Sequence, residues 1–524
     1  MKTFDGTKWT GGSGYIANVK DFGAVGDGVT DDSEAVQSAL NSVRDNGGGT
    51  VVFPRATYYW SFWVEIFSNT KIDGMGSTLI KRVGSSATMF FGMLSHGKTG
   101  YGSGASNIEF TNLHLKGDLA QKRQAGLFGS NHAENVLVDN CTFTECHMQG
   151  HIFDIQGSRN ITIRNCYFYG MNAEGSVDHS KECIQLDNST RLGKSVNDDA
   201  GSFDGLPTTD VTIDNCKFLP VTVNGVTYPA PNPIGSHWGL QGYYHERIKF
   251  TNNTVIDPPS DTSNGSRGVL KFCAARDITV SGNTFISTTS SNVSVFRHLP
   301  LLSTLTTSNA DTATSSDAVS ISNTPVQSYN IKFINNTVSG FNASGSSRQT
   351  LIDLRGSKEG YFCHDVVVSN NTFENCLSSD TSDGGPDLIS AYRCEKITVS
   401  SNVTNSTRNL IVAQGNNISV VGNSISNCPP GVYAIFLDSC VDSSVSGNTL
   451  SNVGSGILLN NDSRVVSVTG NTIGKPKTGT GISFGPVNKC SRVANVVYGV
   501  GTTDYMNAGA AEVLDVNNLF IKEA

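Results

Sequence analysis

The stretch SKECIQLDNS, residues 180–189, brings two carboxylates, Glu182 and Asp187, and an amide, Gln185, into one short alternating segment. As a strand it would turn Ile184 and Leu186 to one side and Gln185 and Asp187 to the other. Two nearby carboxylates are the equipment of a glycoside hydrolase, one as acid and one as base or nucleophile. Neighbouring stretches carry other groups: Asp154 in HIFDIQ, His237, Trp238, Gln241, Tyr243, Tyr244 and His245 in SHWGLQGYYH, Lys271 in GVLKFC, and Arg297 with His298 further on. An elimination at a uronic acid uses such groups. Something neutralises the C6 carboxylate, a base takes the C5 proton, and an acid protonates the departing oxygen.

The elements that must hold these residues follow from composition and repetition. The chain has 524 residues, 55 of them Gly, and only 16% are charged. From about residue 100 it is dense in Asn, Ser, Thr and Val, which favours strands and turns over helices. A net charge of −8 argues against a nucleic-acid partner, which needs a basic surface. No apolar run approaches the roughly 18–20 residues that span a bilayer, so no membrane segment is expected. The opening MKTFDGTKWTGGSGYIANV lacks the apolar core of a signal peptide, and none is expected.

Short units recur: NVLVDNCTF at 135, NITIRNCYF at 160, DVTIDNCKF at 210, RIKFTNNTV at 247, NIKFINNTV at 330, NISVVGNSI at 417 and VVSVTGNTI at 465. Each reads as a strand, a turn at Asn-Asn, Gly-Asn or Asn-Cys, and a second strand, with a basic spacing of 25 residues between 135 and 160. Units this short cannot bury an apolar face alone, so they must stack, and period-2 strands at this spacing wind into a parallel β-helix. Asn253, Asn283, Asn336, Asn371, Asn423, Asn448 and Asn471 then form a ladder at one turn, with Cys141, Cys166 and Cys216 in the same column of the earlier coils. Those cysteines are expected to be buried free thiols. No cysteine pair has the short spacing of a zinc ligand set, so neither a metal site nor a cofactor is expected. The repeat itself generates many Asn-x-Ser/Thr triplets, which are therefore not read as glycosylation sites.

Residues 18–54 differ: strand, Gly turn, a helix capped by Asp31 or Asp32 with Ala35, Val36, Ala39, Leu40 and Val43 on its buried face, then a strand. This stretch resembles the N-terminal cap of the pectate-lyase-like right-handed β-helix superfamily, which includes phage tailspikes and capsule depolymerases. With the coils, the resemblance covers roughly 18–475. It implies an all-β, right-handed parallel β-helix: an extension at 1–17, a cap at 18–60, coils at 61–475 with a groove around 150–300, and a closing or oligomerising segment at 476–524. The run from KECIQLD to PIGSHWGLQGYYHERIKFTNN is similar to phage capsule lyases, the heparosan-cleaving lyase of coliphages among them. The resemblance further implies a homotrimeric tail spike, attached to the virion by an N-terminal part and acting on an acidic capsular polysaccharide at the bacterial surface.

Equivalent positions in stacked coils lie roughly 4.8 Å apart, so sequence converts to neighbourhood. Counting back six from Asn160, Arg247 and Asp277, and anchoring 182–187 on its apolar pair, gives an outward column of Asp154, Gln185, Gln241 and Lys271. A second column reads Gln156, Asp187, Tyr243 and Cys273, with His151, Glu182, His237 or Trp238, and Arg267 at the strand starts. Cationic and phenolic groups beside the carboxylates favour a lyase over a hydrolase built on Glu182, Asp187 and Asp154, or a non-catalytic glycan-binding adhesin. In the lyase reading His237 or Lys271 is the base, Tyr243 the acid, and Gln185 and Gln241 bind the carboxylate. Glu182 and Asp187 orient the bases, Asp154 lines the groove, Trp238 and Tyr244 stack on sugars, and His245 and Arg297 form outer subsites. His147 and His179 are expected on turns without chemistry.

Overall fold

A computed structural model describes residues 3–4, 9–10 and 14–521, apart from 82–87, 93–97, 120–125, 148–150, 173–181, 192–201, 238, 261–267, 290–292, 304–319, 322–326, 342–349, 358–361, 377–386, 406–410, 478–479, 500–505 and 509–512. Two compact units divide the chain, one of residues 1–258 with 302–321, the other of 259–301 with 322–524.

In the first unit the helix Ser33–Asp45 buries Val36, Ala39, Leu40 and Val43, as their 3.6-residue spacing predicts. The two candidate caps divide the work. Asp31 accepts the Ser33 N–H at 3.0 Å, while the buried Asp32 carboxylate accepts the Val25 N–H at 2.6 Å and ties the preceding loop to the helix start. The strand Ile16–Asn18 pairs in parallel with Thr50–Val52. Coils of three parallel strands follow. Phe153–Gln156, Arg159–Arg164 and Tyr167–Asn172 stack on Glu182–Asp187, Thr209–Asp214 and Lys217–Leu219 respectively. Asn140, Asn165, Asn215 and Asn252 take the turn between the second and third strands with φ of 52–56°. Asn adopts this left-handed conformation more readily than most residues, which explains the first Asn of each repeat. The next residue turns inward: Cys141, Cys166 and Cys216 are buried, and the Cys216 N–H donates to Asn253 Oδ1 at 2.8 Å. Beneath them Phe143, Phe168 and Phe218 stack with ring centroids 4.7 and 4.6 Å apart.

In the second unit the ladder runs as expected through Asn283, Asn336, Asn371, Asn423, Asn448 and Asn471, each backbone N–H donating to the side-chain oxygen of the next rung at 2.9–3.0 Å. Asn402 fills the rung between Asn371 and Asn423. The coil pattern, expected to fade past 475, continues instead. Asn471 bonds Asn495 and Asn495 bonds Asn518, while Val496–Tyr498 pairs with Leu519–Ile521. The apolar alternation weakens there, yet the ladder rungs persist. All twelve cysteines are buried and free. Among the described residues, no helix is long and apolar enough to cross a membrane.

Candidate functional site

The strands Phe153–Gln156 and Glu182–Asp187 lie side by side in the first unit, with Asp154 opposite Gln185 and Gln156 opposite Asp187, the register that the apolar pairs predicted. The next rung corrects the sequence reading. Asn232–Gly235 supplies it, so Glu182 faces Asn232 and Gln185 faces Gly235, not Gln241. Counting back from Arg247 assumed a coil of constant length. The chain instead folds back at 240–243, closed by an antiparallel bridge between Leu240 and Tyr243. Gln241 and Tyr243 are exposed on that segment, and Asn188 anchors it by donating to the Tyr243 carbonyl at 3.0 Å.

The fold-back brings His237 to the strand. Its Nε2 stands 3.1 Å from Glu182 Oε1. His151, which enters just ahead of the first strand, has Nδ1 2.5 Å from the Glu182 carbonyl oxygen. A carbonyl only accepts, so Nδ1 carries the proton, and a neutral His151 ring keeps its lone pair on Nε2. The two imidazole centroids are 6.3 Å apart. Ligand-type atoms of His151, Glu182 and His237 all lie within 4.8 Å of one another. Local spacing along the chain had suggested no metal-binding group. This one is assembled from three separate coils.

Electrostatics separates the two carboxylates. Burial pushes the Glu182 carboxyl up, but the charge of His237, its hydrogen bond and the charge of His151 outweigh that and hold it at about 2. Burial pushes Asp187 up to about 7 against the His237 charge, and the Glu182 charge adds to the rise. Gln185 donates its amide to Asp187 Oδ2. Glu182 is therefore a fixed anion orienting an imidazole, whereas Asp187 sits near the edge of protonation and holds Gln185.

Several expected groove residues are elsewhere. Tyr244 is buried, so it offers no sugar-stacking face. His245 is fully buried, its Nδ1 against the Thr208 backbone, and is not an outer subsite. His245 opens the strand His245–Thr251 and Tyr244 immediately precedes it. Arg297, in the second unit, is a buried ion-pair partner of Asp353 at 3.1 Å, which Arg355 also contacts at 2.9 Å. Lys271 lies beside Arg297 in register and is half-buried. Asp154 is buried. Trp238, Arg267 and His179 lie outside the described residues, as does the side chain of His147. Asn188 and Asn232 were missed by sequence reasoning. Asn232 stands two residues before Ile234 as Glu182 stands before Ile184, and that apolar anchor was the signal that would have found it.

Stacked parallel coils, an Asn ladder and a capping helix define a right-handed β-helix, and the family models support the pectate-lyase-like superfamily. A rhamnogalacturonase A/epimerase, pectate lyase-like model matches residues 16–92, a right-handed β-helix region 67–295, and a periplasmic copper-binding protein (NosD) model 302–494. Among curated relatives, a plasmin and fibronectin-binding protein of Streptococcus pneumoniae is 29% identical over 297 residues, 51% of this chain and 39% of that protein. From Azotobacter vinelandii, a mannuronan C5-epimerase is 35% identical over 178 residues and an alginate lyase 33% over 175, each covering 30% of this chain and 12% and 20% of those proteins. The chain thus spans about two fifths or less of the length of these relatives. A tailspike of an E. coli bacteriophage, solved with a pentasaccharide, shares the fold at 14% identity and a TM-score of 0.50 over 97% of this chain and 78% of that one.

Proposed function

We propose that this protein acts on an acidic polysaccharide and cleaves it by β-elimination at a uronic acid. The observation that carries this reading is the pairing of His237 with a buried Glu182 held ionised. An imidazole held in place by an anion is suited to take the C5 proton of a uronate. Gln185, held by Asp187, offers its amide to the C6 carboxylate, and the exposed Tyr243 phenol protonates the leaving oxygen. The names of the epimerase and alginate lyase relatives support a uronate substrate, since C5 epimerisation and β-elimination both begin with loss of the C5 proton. A heparosan-like glycosaminoglycan is our leading substrate, and a homotrimeric tail spike on a phage particle our proposed setting.

A hydrolase remains the second reading, because Asp187, pushed up to about 7, has the pKa of a general acid. Glu182 is committed to its ion pair with His237 and does not serve as the second carboxyl. Asp154, across the register from Gln185, is the remaining partner for Asp187.

The test is incubation with acidic capsular polysaccharides while ultraviolet absorbance and reducing ends are followed together. New absorbance from unsaturated uronate is the expected result. Reducing ends without absorbance would convert the assignment to hydrolase, and binding with neither would make the protein an adhesin. His237→Ala should remove cleavage, lowering it by about 10²–10⁴-fold.

A further inference from the structure

We infer that His151, Glu182 and His237 form a binding site for a divalent transition metal, with Zn²⁺ or Co²⁺ as the fitting class. Two imidazoles and one carboxylate with ligand atoms within 4.8 Å of one another match the donor set such ions take, three protein ligands with a further position open. Calcium does not fit, because it draws on six to eight oxygens and imidazole is a poor ligand for it.

Two observations beyond the cluster point the same way. His151 is oriented as a metal-bound histidine is: its Nδ1–H is committed to the Glu182 carbonyl, which leaves Nε2 as the nitrogen with a lone pair. Asn232, the rung opposite Glu182, is 1% exposed, and among the described residues neither its side-chain oxygen nor its nitrogen has a hydrogen-bond partner. A buried amide in that state costs free energy unless something completes it, and a metal or its bound water would do so.

The site shares side chains with the proposed lyase. A metal there takes the His237 Nε2 lone pair, so the neutral ring's one proton sits on Nδ1, the nitrogen that would otherwise accept the C5 proton. Metal occupancy therefore removes the base, and the ion is a reversible inhibitor of the elimination.

Chelator-treated, dialysed full-length protein is titrated with Co²⁺ and read by visible absorption, with Zn²⁺ used to displace it. One equivalent per chain, giving the intense visible bands of a low-coordinate cobalt site, is expected. His151→Ala and the near-isosteric Glu182→Gln should each abolish the bands, whereas His364→Gln, an exposed histidine paired with Asp365, should leave them intact. The wild-type spectrum needs no variant, so a misfolded substitution cannot obscure the result. Absence of the bands, or their survival in His151→Ala and Glu182→Gln, overturns the inference. Metal binding by a protein whose metal-free form cleaves no uronate would end the proposed function and leave this site standing, and cleavage without metal binding would do the reverse.

Discussion

Glu182 and Asp187 lie on the same strand and carry similar burial, yet their surroundings push them in opposite directions. Glu182 is tied to His237 and His151, whereas at Asp187 burial outweighs the His237 charge and the Glu182 charge adds to the rise. Their roles follow from neighbours rather than residue type. Tyr243→Phe tests the acid: the exposed ring should tolerate the change without loss of thermal stability, while turnover falls by about 10²-fold or more with binding retained. Unchanged turnover would remove Tyr243 from the chemistry. His298 provides a second residue-scale test. It is buried, its Nε2 faces the Ala275 carbonyl at 3.0 Å, and burial lowers its pKa despite those bonds and the nearby Asp353 charge. The folded state therefore resists protonation while the unfolded chain accepts a proton near the ordinary value of 6.5. Stability should fall as pH drops below that value. His298→Phe, which keeps an inward ring between Phe272 and Leu354, should flatten the acid limb of a thermal-midpoint profile relative to wild type.

The elements owe their order to one repeated turn. The first turn residue, Asn, Gly or Ser, adopts positive φ, and the Asn after it is buried and bonds along the axis, so each coil's turn is locked to the next. Asn402 accepts the Asn371 N–H, and its amide donates to the Val368 carbonyl and to Asn423. Asn402→Ala leaves buried backbone groups without partners and should cost about 1–3 kcal/mol for each one orphaned. Urea unfolding followed by circular dichroism measures it, and a loss below about 0.5 kcal/mol would show that the ladder is not what fixes the turn. In the first unit cysteines take the same column, and three phenylalanines stack below them.

At the scale of the whole molecule, stability comes from coil-on-coil stacking without covalent cross-links. Burial pushes the thiols of Cys141, Cys166, Cys183 and Cys394 well above their ordinary range, and that of Cys146 up to about 12. A thiol must ionise to react, so the native protein should give no fast colour with a disulfide exchange reagent, and all twelve should titrate after denaturation. A reductant should leave the thermal midpoint unchanged. A fast-reacting thiol in the native state would show that at least one cysteine is not buried.

The coiled architecture was legible in the sequence because stacking turns a local fact into a global one. Alternating apolar residues, a fixed spacing and an Asn at each turn have few other ways to bury their apolar face. Asp154 beside Gln185 and Gln156 beside Asp187 were readable for the same reason, since apolar pairs on both strands fixed the register. The next rung was not, because the chain reverses direction at 240–243, and loop length carries no register. That reversal removed Gln241 from the column and delivered His237 to Glu182, 55 residues away in the chain. Which carboxylate is ionised, and that two histidines share it, depended on burial and distance between coils. Those quantities exist only once the coils are stacked.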